Sequence, residues 1–199
     1  FTAGLSVQGL VEHGVTPDKG DILVTGATGG VGSVAVALLA KAGFSVVACT
    51  GKKEHEAFLK ALGASKVITR DELLENKERP MLKELYAGAI DTVGGEYLAQ
   101  AIKATQYGGT VTCCGLTASA ELNVSVFPFI LRGVSLLGID SVQCPMPPRL
   151  RLWDKLASEW KLNRLDDLTE EVTLDAVNEK IDAILKGQIS GRTLVNVQG

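Results

Sequence analysis

Short runs of aliphatic and β-branched residues alternate along this chain with stripes of apolar residues spaced three or four apart. The segment FTAGLSVQGLVEHG reads as a helix. Asp21–Ala27 predicts a strand buried on both faces, because it is a continuous apolar run and not an alternating one. Val31, Val34, Ala35, Leu38 and Leu39 then follow helical spacing, with Gly43 placed as a C-cap. Phe44–Thr50 predicts the second strand, and Phe58, Leu59 and Leu62 a helix that stops at Gly63. Lys66–Arg70 predicts the third strand. A polar stretch, Asp71–Lys83, separates it from a fourth at Gly88–Gly94. Leu98, Ala101 and Ile102 share one helical face, and Gly109–Gly115 and Val134–Ser141 read as the fifth and sixth strands. Strands alternating with helices at this spacing predict βαβ units and a parallel sheet. With right-handed crossovers the favoured fold is α/β, a doubly wound parallel sheet of the Rossmann type with helices on both faces.

The pattern changes at Cys144–Pro148, where three prolines in four residues end the sheet region. Leu150, Trp153, Leu156 and Trp160 predict one helix beyond it. A second is predicted from Leu174 to Lys186, with Val177, Ile181, Ile184 and Leu185 on one face and Gly187 at its end. Arg192–Val197 predicts a closing strand. The chain therefore divides into residues 1–143, with an entry helix in 1–20, and a helix–strand tail over 144–199.

Ile22 to Ala40 contains no charge and is long enough to cross a bilayer. The four glycines within Gly26–Gly32, flanked by Thr25 and Thr28, split it into strand, turn and helix and remove that reading. The 199 residues suffice for one domain, or one domain plus an appendage. Hydrophobic residues at 46% and charged ones at 22% exclude a disordered chain. A net charge of −3 offers nucleic acid or anionic lipid no broad surface, although a local basic pocket is allowed. Cys49, Cys113, Cys114 and Cys144 have no CxxC spacing, and His13 and His55 are far from them in sequence. No zinc site is expected; buried, reduced thiols of a cytoplasmic protein are. The first residue is Phe1 and no signal-peptide pattern is present, so a piece of a longer protein is expected.

The turn reads Ala27-Thr28-Gly29-Gly30-Val31-Gly32, a dinucleotide fingerprint with Ala in place of its first glycine. It follows a predicted strand and opens a predicted helix, the context in which such a pattern carries weight. A pyrophosphate would sit over the N-terminus of that helix, where amide hydrogens and the dipole favour an anion. A dinucleotide site for NAD usually has Asp or Glu at the end of the second strand. Here that place reads Cys49-Thr50-Gly51-Lys52-Lys53, with no carboxylate before Glu54. A hydroxyl, a glycine and lysines suit a 2′-phosphate, which favours NADP(H). Arg70 either adds a second cation there or pairs with Asp71 or Glu72. Cys113 and Cys114 have no partnered histidine in sequence and read as packing, not as nucleophiles. Ser141 reads equally as a donor to ligand or as a strand-end turn serine.

VTGATGGVGSVAV, TGK at Thr50–Lys52, GAIDTVGG, YGGTVTCCGL, GRTLV and above all PFILRGVSLLGIDSV resemble the medium-chain dehydrogenase/reductase superfamily. The resemblance is to its zinc-free, quinone-oxidoreductase-like branch and there to the acryloyl-CoA reductase group, and it runs over essentially the whole chain. It implies NADPH-dependent reduction of an activated C=C bond, with hydride going to the β-carbon of an α,β-unsaturated thioester and a proton to the α-carbon. It implies that Thr28, Gly29, Gly30 and Val31 hold the pyrophosphate and Thr50, Gly51 and Lys52 the 2′-phosphate. It puts Arg70 on the adenosine side, and Leu116, Ile130 and Ser141 along the nicotinamide ribose and ring. Arg192 would reach back toward the cofactor. Relatives carry an N-terminal GroES-like catalytic domain, which is expected to be missing here. Trp153 and Trp160 are accordingly expected to pack on it or stand exposed, and the catalytic residues stay unassigned. The resemblance also implies a homodimer, which the spacing does not establish.

Three rival readings remain. One is a quinone substrate in place of an enoyl thioester. Another is a non-catalytic NADP-binding module. The third is a short-chain dehydrogenase, since TGATGGVG fits that turn as well; but such enzymes need a YxxxK pair, and Ile90, Ala101 and Val111 stand four residues after Tyr86, Tyr97 and Tyr107.

Overall fold

The structure is a computed structural model and describes residues 1–163 and 165–198. Helix α1 (Thr2–Glu12) leads into β1 (Ile22–Val24), α2 (Gly32–Lys41), β2 (Val46–Thr50), α3 (Glu56–Ala61) and β3 (Lys66–Thr69). Then come α4 (Arg70–Leu74), β4 (Tyr86–Asp91), α5 (Gly95–Ala104), β5 (Thr105–Cys113), α6 (Phe127–Arg132) and β6 (Ser135–Gly138). The tail adds α7 (Met146–Ala157), β7 (Thr169–Thr173), α8 (Val177–Leu185) and β8 (Arg192–Asn196). The six strands β1–β6 form one all-parallel sheet in the order β3-β2-β1-β4-β5-β6. The order reverses at β1, so the crevice at its C-terminal end is the switch point where such sheets bind ligands.

The pleat divides the apolar side chains between two cores. Ile22, Val24, Val46, Ala48 and Ile90 join α1, α2 and Leu59 of α3 on one face, with Leu152 of α7 and Trp160. Leu23, Val47, Cys49 and Ala89 join Leu73 of α4 and Leu98, Ala101 and Ile102 of α5 on the other. Ile22, Leu23 and Val24 are each fully buried, which accounts for the charge-free run. Among the described residues no helix is long and apolar enough to cross a membrane.

Several boundaries differ from expectation. The prolines after Cys144 start a helix: Pro147 lies in the first turn of α7, where a missing N–H leaves no intrahelical bond unmade. Trp160 falls beyond the end of α7 and is buried, 6% exposed, in the same core as α1. Trp153 is half exposed and stacks on Phe1 at 5.4 Å, so both tryptophans find partners within this chain. No element is predicted within the polar stretch 71–83, and a short helix, α4, runs into it. Thr69 caps this helix, its hydroxyl accepting from the Glu72 amide while Glu72 accepts from the Thr69 amide. The tail holds a further strand, β7, which pairs in parallel with β8 as a separate two-stranded sheet.

Candidate nucleotide-binding site

The turn between β1 and α2 is built by close backbone approach. A Cβ on Gly32 would strike the carbonyl oxygen of Gly26 and lie 2.8 Å from Ala27 Cα, so only glycine lets α2 start this near β1. The Gly29 amide donates to Gly26 O at 2.9 Å and the Ser33 amide to Gly29 O at 2.9 Å. Among the described residues, the amides of Gly30 and Val31 find no protein acceptor, and the fully buried Ser33 hydroxyl has no partner. Free donors at the first turn of a ten-residue helix are the groups that hold an anion.

Beneath the turn lies a residue that the sequence reading passed over. Asp91, at the end of β4, is fully buried. It accepts from Thr25 Oγ1 at 2.6 Å and from the amides of Val93 and Gly94 at 3.3 and 2.8 Å. Thr25 Oγ1 in turn accepts from the Thr92 amide at 3.1 Å. Burial pushes the Asp91 carboxyl up, against the pull of these hydrogen bonds. The network ties the C-terminal ends of β1 and β4 together. Its only signal in the sequence is an aspartate three residues before a Gly-Gly pair.

The residues expected at the 2′-phosphate come together at the end of β2. Thr50 and Thr28, both buried, place their hydroxyls 3.2 Å apart, joining this segment to the turn. Thr50 Oγ1 also accepts from the Lys52 amide at 3.0 Å. Lys52 Nζ donates to the Ile189 carbonyl in the tail. Burial lowers the Lys52 pKa; Glu54 opposes this and nearby Arg70 adds to it. The expected alternative, Arg70 paired with Asp71 or Glu72, is not what is found. Arg70 lies across Gly51, where a Cβ would sit 2.7 Å from its Nε, and its guanidinium stands 5.8 Å from the centre of the Tyr97 ring. Glu54 is exposed and lies 4.0 Å from His55 Nε2.

The tail closes the other side. The Gly191 amide donates to Thr28 O at 2.9 Å, and Arg192 lies against Gly30, where a Cβ would meet its Nε at 2.7 Å. Thr28, Gly29, Gly30, Val31, Thr50, Gly51, Lys52, Arg70 and Arg192 thus form one group. Among the described residues no hydrogen bond ties Leu116, Ile130 or Ser141 to it. Leu116 and Ile130 are 68% and 69% exposed, and the Leu116 backbone approaches Gly94. Ser141 Oγ accepts from Thr2 Oγ1 at 2.9 Å.

The thiols are less uniformly buried than expected. Cys49 is buried, while Cys113, Cys114 and Cys144 are half-buried. Burial drives Cys49 up to about 12 and Cys114 to about 11, and raises Cys113 as well. A thiol held protonated is a poor nucleophile and a poor ligand. No group of three or more His, Cys, Asp or Glu residues suited to a metal ion occurs among the described residues.

Comparison with known proteins fits this geometry. The acrylyl-CoA reductase AcuI of Ruegeria pomeroyi is 46% identical over 197 residues, covering 99% of this chain and 60% of the relative. The yhdH oxidoreductase of Salmonella enterica, solved in complex with NADP, superposes with a TM-score of 0.94 at 44% identity over 98% of this chain and 60% of that one. The Bacillus subtilis protein yhfP, solved with NAD bound, gives 0.93 at 46% identity over 98% and 60%. This chain therefore spans about three fifths of the length of these relatives. Residues 30–157 match the family described as zinc-binding dehydrogenase, in which the quinone-oxidoreductase-like members of the medium-chain dehydrogenase/reductase superfamily fall, and the chain belongs to it.

Proposed function

We propose that this chain is the NADP(H)-binding part of a reductase that saturates the activated C=C bond of an α,β-unsaturated thioester such as acryloyl-CoA. Residues 1–143 form the binding unit and residues 144–199 the tail that folds back over it. The observation that carries the reading is the pairing of two anion sites at one sheet edge. Free amides stand at the start of α2, Lys52 stands at the end of β2, where an NAD site would place a carboxylate, and Arg70 stands at the end of β3 beside it. Thr28, Gly29, Gly30 and Val31 hold the pyrophosphate. Thr50, Gly51, Lys52 and Arg70 hold the 2′-phosphate. Leu116, Ile130 and Ser141 serve the nicotinamide end, and Arg192 covers the turn. When bound, the cofactor supplies a hydride equivalent to the β-carbon of the substrate.

The thioester substrate rests on the Ruegeria relative's acrylyl-CoA reductase activity. The family's zinc finds no ligand set here: among the described residues no three His, Cys, Asp or Glu side chains cluster as a metal ion would need. No step is therefore assigned to a metal. Free thiols suit a reducing cytoplasmic setting.

Calorimetric titration of the chain with NADPH and NADH tests the cofactor. NADPH is expected to bind at least about tenfold tighter, the equivalent of ~1.4 kcal/mol; equal affinity would sink the reading. The bound chain alone is expected not to consume NADPH with acryloyl-CoA. A protein of the relatives' full length is expected to do so, and faster than with a quinone.

A further inference from the structure

Arg70 is in an unusual place for a cation. It is the first residue of α4, where the positive end of the helix dipole disfavours it. Among the described residues no carboxylate lies within ion-pairing distance of its guanidinium, although Asp71 and Glu72 are its neighbours in sequence. Glu72 is occupied in capping the helix. Arg70 is exposed, yet its side chain does not trail into solvent. It is laid across the backbone of Gly51 on one side and stands beside the Tyr97 ring on the other. Tyr97 is half-buried in the first turn of α5 and packs against the second core, so the ring is fixed by the fold.

Holding an exposed arginine in one arrangement costs side-chain entropy. A planar guanidinium beside an aromatic face recovers part of this. An arginine already held in place loses less freedom when it takes a planar or tetrahedral oxyanion on its fork of donors. Lys52 stands close enough to feel the Arg70 charge. The two cations converge where the 2′-phosphate is placed above, and the present inference rests on that reading.

We infer that Gly51 and Tyr97 form a seat that holds Arg70 ready for the 2′-phosphate, which makes Tyr97 a positioning residue for cofactor choice. Gly51 supplies the room, since a methyl group there would meet Nε, Cζ and Cδ of Arg70 at 2.7–3.0 Å. Tyr97 supplies the wall. Neither residue touches the nicotinamide end, so both act on discrimination between cofactors.

The test is a set of calorimetric titrations with NADPH, NADH and 2′,5′-ADP on the wild-type chain and on Tyr97→Phe, Tyr97→Ala, Gly51→Ala, Arg70→Ala and the Arg70→Ala/Tyr97→Ala double variant. Melting temperatures are read alongside. Tyr97→Ala is expected to weaken NADPH and 2′,5′-ADP about two- to fivefold, the range of an exposed cation–π contact, and to leave NADH within twofold. Tyr97→Phe keeps the ring and restores wild-type affinity. Gly51→Ala weakens NADPH by at least as much as Tyr97→Ala. In the Arg70→Ala background, Tyr97→Ala has no further effect on NADPH. The inference fails if Tyr97→Ala changes NADPH and NADH equally, or if its effect persists without Arg70. A wild-type chain that binds NADPH no tighter than NADH overturns the underlying cofactor reading, and this inference with it. A wild-type preference that is undiminished in Tyr97→Ala and Gly51→Ala overturns this inference alone.

Discussion

The turn after β1 and the segment after β2 meet at one sheet edge, but they are made in opposite ways. The turn is backbone: glycines packed on backbone, with free amides as its chemistry. The segment is side chain: a threonine hydroxyl, a lysine reaching into the tail and an arginine resting on a glycine. Backbone amides hold any pyrophosphate, whichever dinucleotide carries it. Side chains can tell a 2′-phosphate from a 2′-hydroxyl. Damage to the turn should therefore abolish binding of both cofactors, and damage to the segment should change only the choice between them.

The largest effect is expected from Gly32→Ala. The new methyl group meets backbone on both sides, at Gly26 and Ala27, and no side chain is there to swing away. Overpacking of this kind costs about 3 kcal/mol. For a chain of this size the melting temperature should fall by roughly 10 °C. NADPH and NADH should both fail to bind in calorimetric titration. Loss of one but not the other would break the division of labour between turn and segment.

Asp91→Asn comes next, because Asp91 braces the turn from below without touching its surface. Its carboxylate accepts from Thr25 and from two amides. An Asn amide nitrogen cannot accept from Val93 or Gly94, so one buried donor set is orphaned, at about 2 kcal/mol. The pH dependence has a definite sign. Burial raises the folded-state pKa of Asp91, so between the ordinary aspartate value and that raised value the native state holds a proton that the unfolded chain has released. Stability from Asp91 therefore falls as pH rises through this window and is level above it. Denaturation of both proteins at several pH values should show the wild-type advantage narrowing over the window. A constant gap would mean that the Asp91 pKa is the same in the folded and unfolded states.

The same contrast explains what could be read in advance. β1 and β2 are buried on both faces, and their unbroken apolar runs announced them. The turn announced itself because close backbone approach requires glycine. Strand β7 did not: TEEVT is largely exposed and, among the described residues, pairs with β8 alone, so neither alternation nor an apolar run marks it. Trp160 was misplaced because its burial depends on α7 folding against α1, which no local spacing reports. Thr50–Lys52 was legible by what it lacks, a carboxylate. The seat of Arg70 was not, since Gly51 follows β2, Arg70 follows β3 and Tyr97 lies in the first turn of α5, and only the topology brings them together. Asp91 meets Thr25 across 66 residues for the same reason.

The smallest of these three effects is also the sharpest test of the segment's role. Lys52→Ala removes an ammonium whose stem is partly covered and whose head is already given one acceptor, the Ile189 carbonyl. Two donors remain for a phosphate. A charged hydrogen bond of this kind contributes about 1.5 kcal/mol, so NADPH affinity should fall roughly tenfold while NADH stays within twofold. Because burial lowers the Lys52 pKa, the wild-type preference for NADPH should decline as pH rises, starting below the ordinary lysine range. The variant should show no such decline from this residue. Equal loss of NADPH and NADH would instead mean that Lys52 acts by anchoring the tail through Ile189. The tail would then control access to the turn, and the two regions would not be independent.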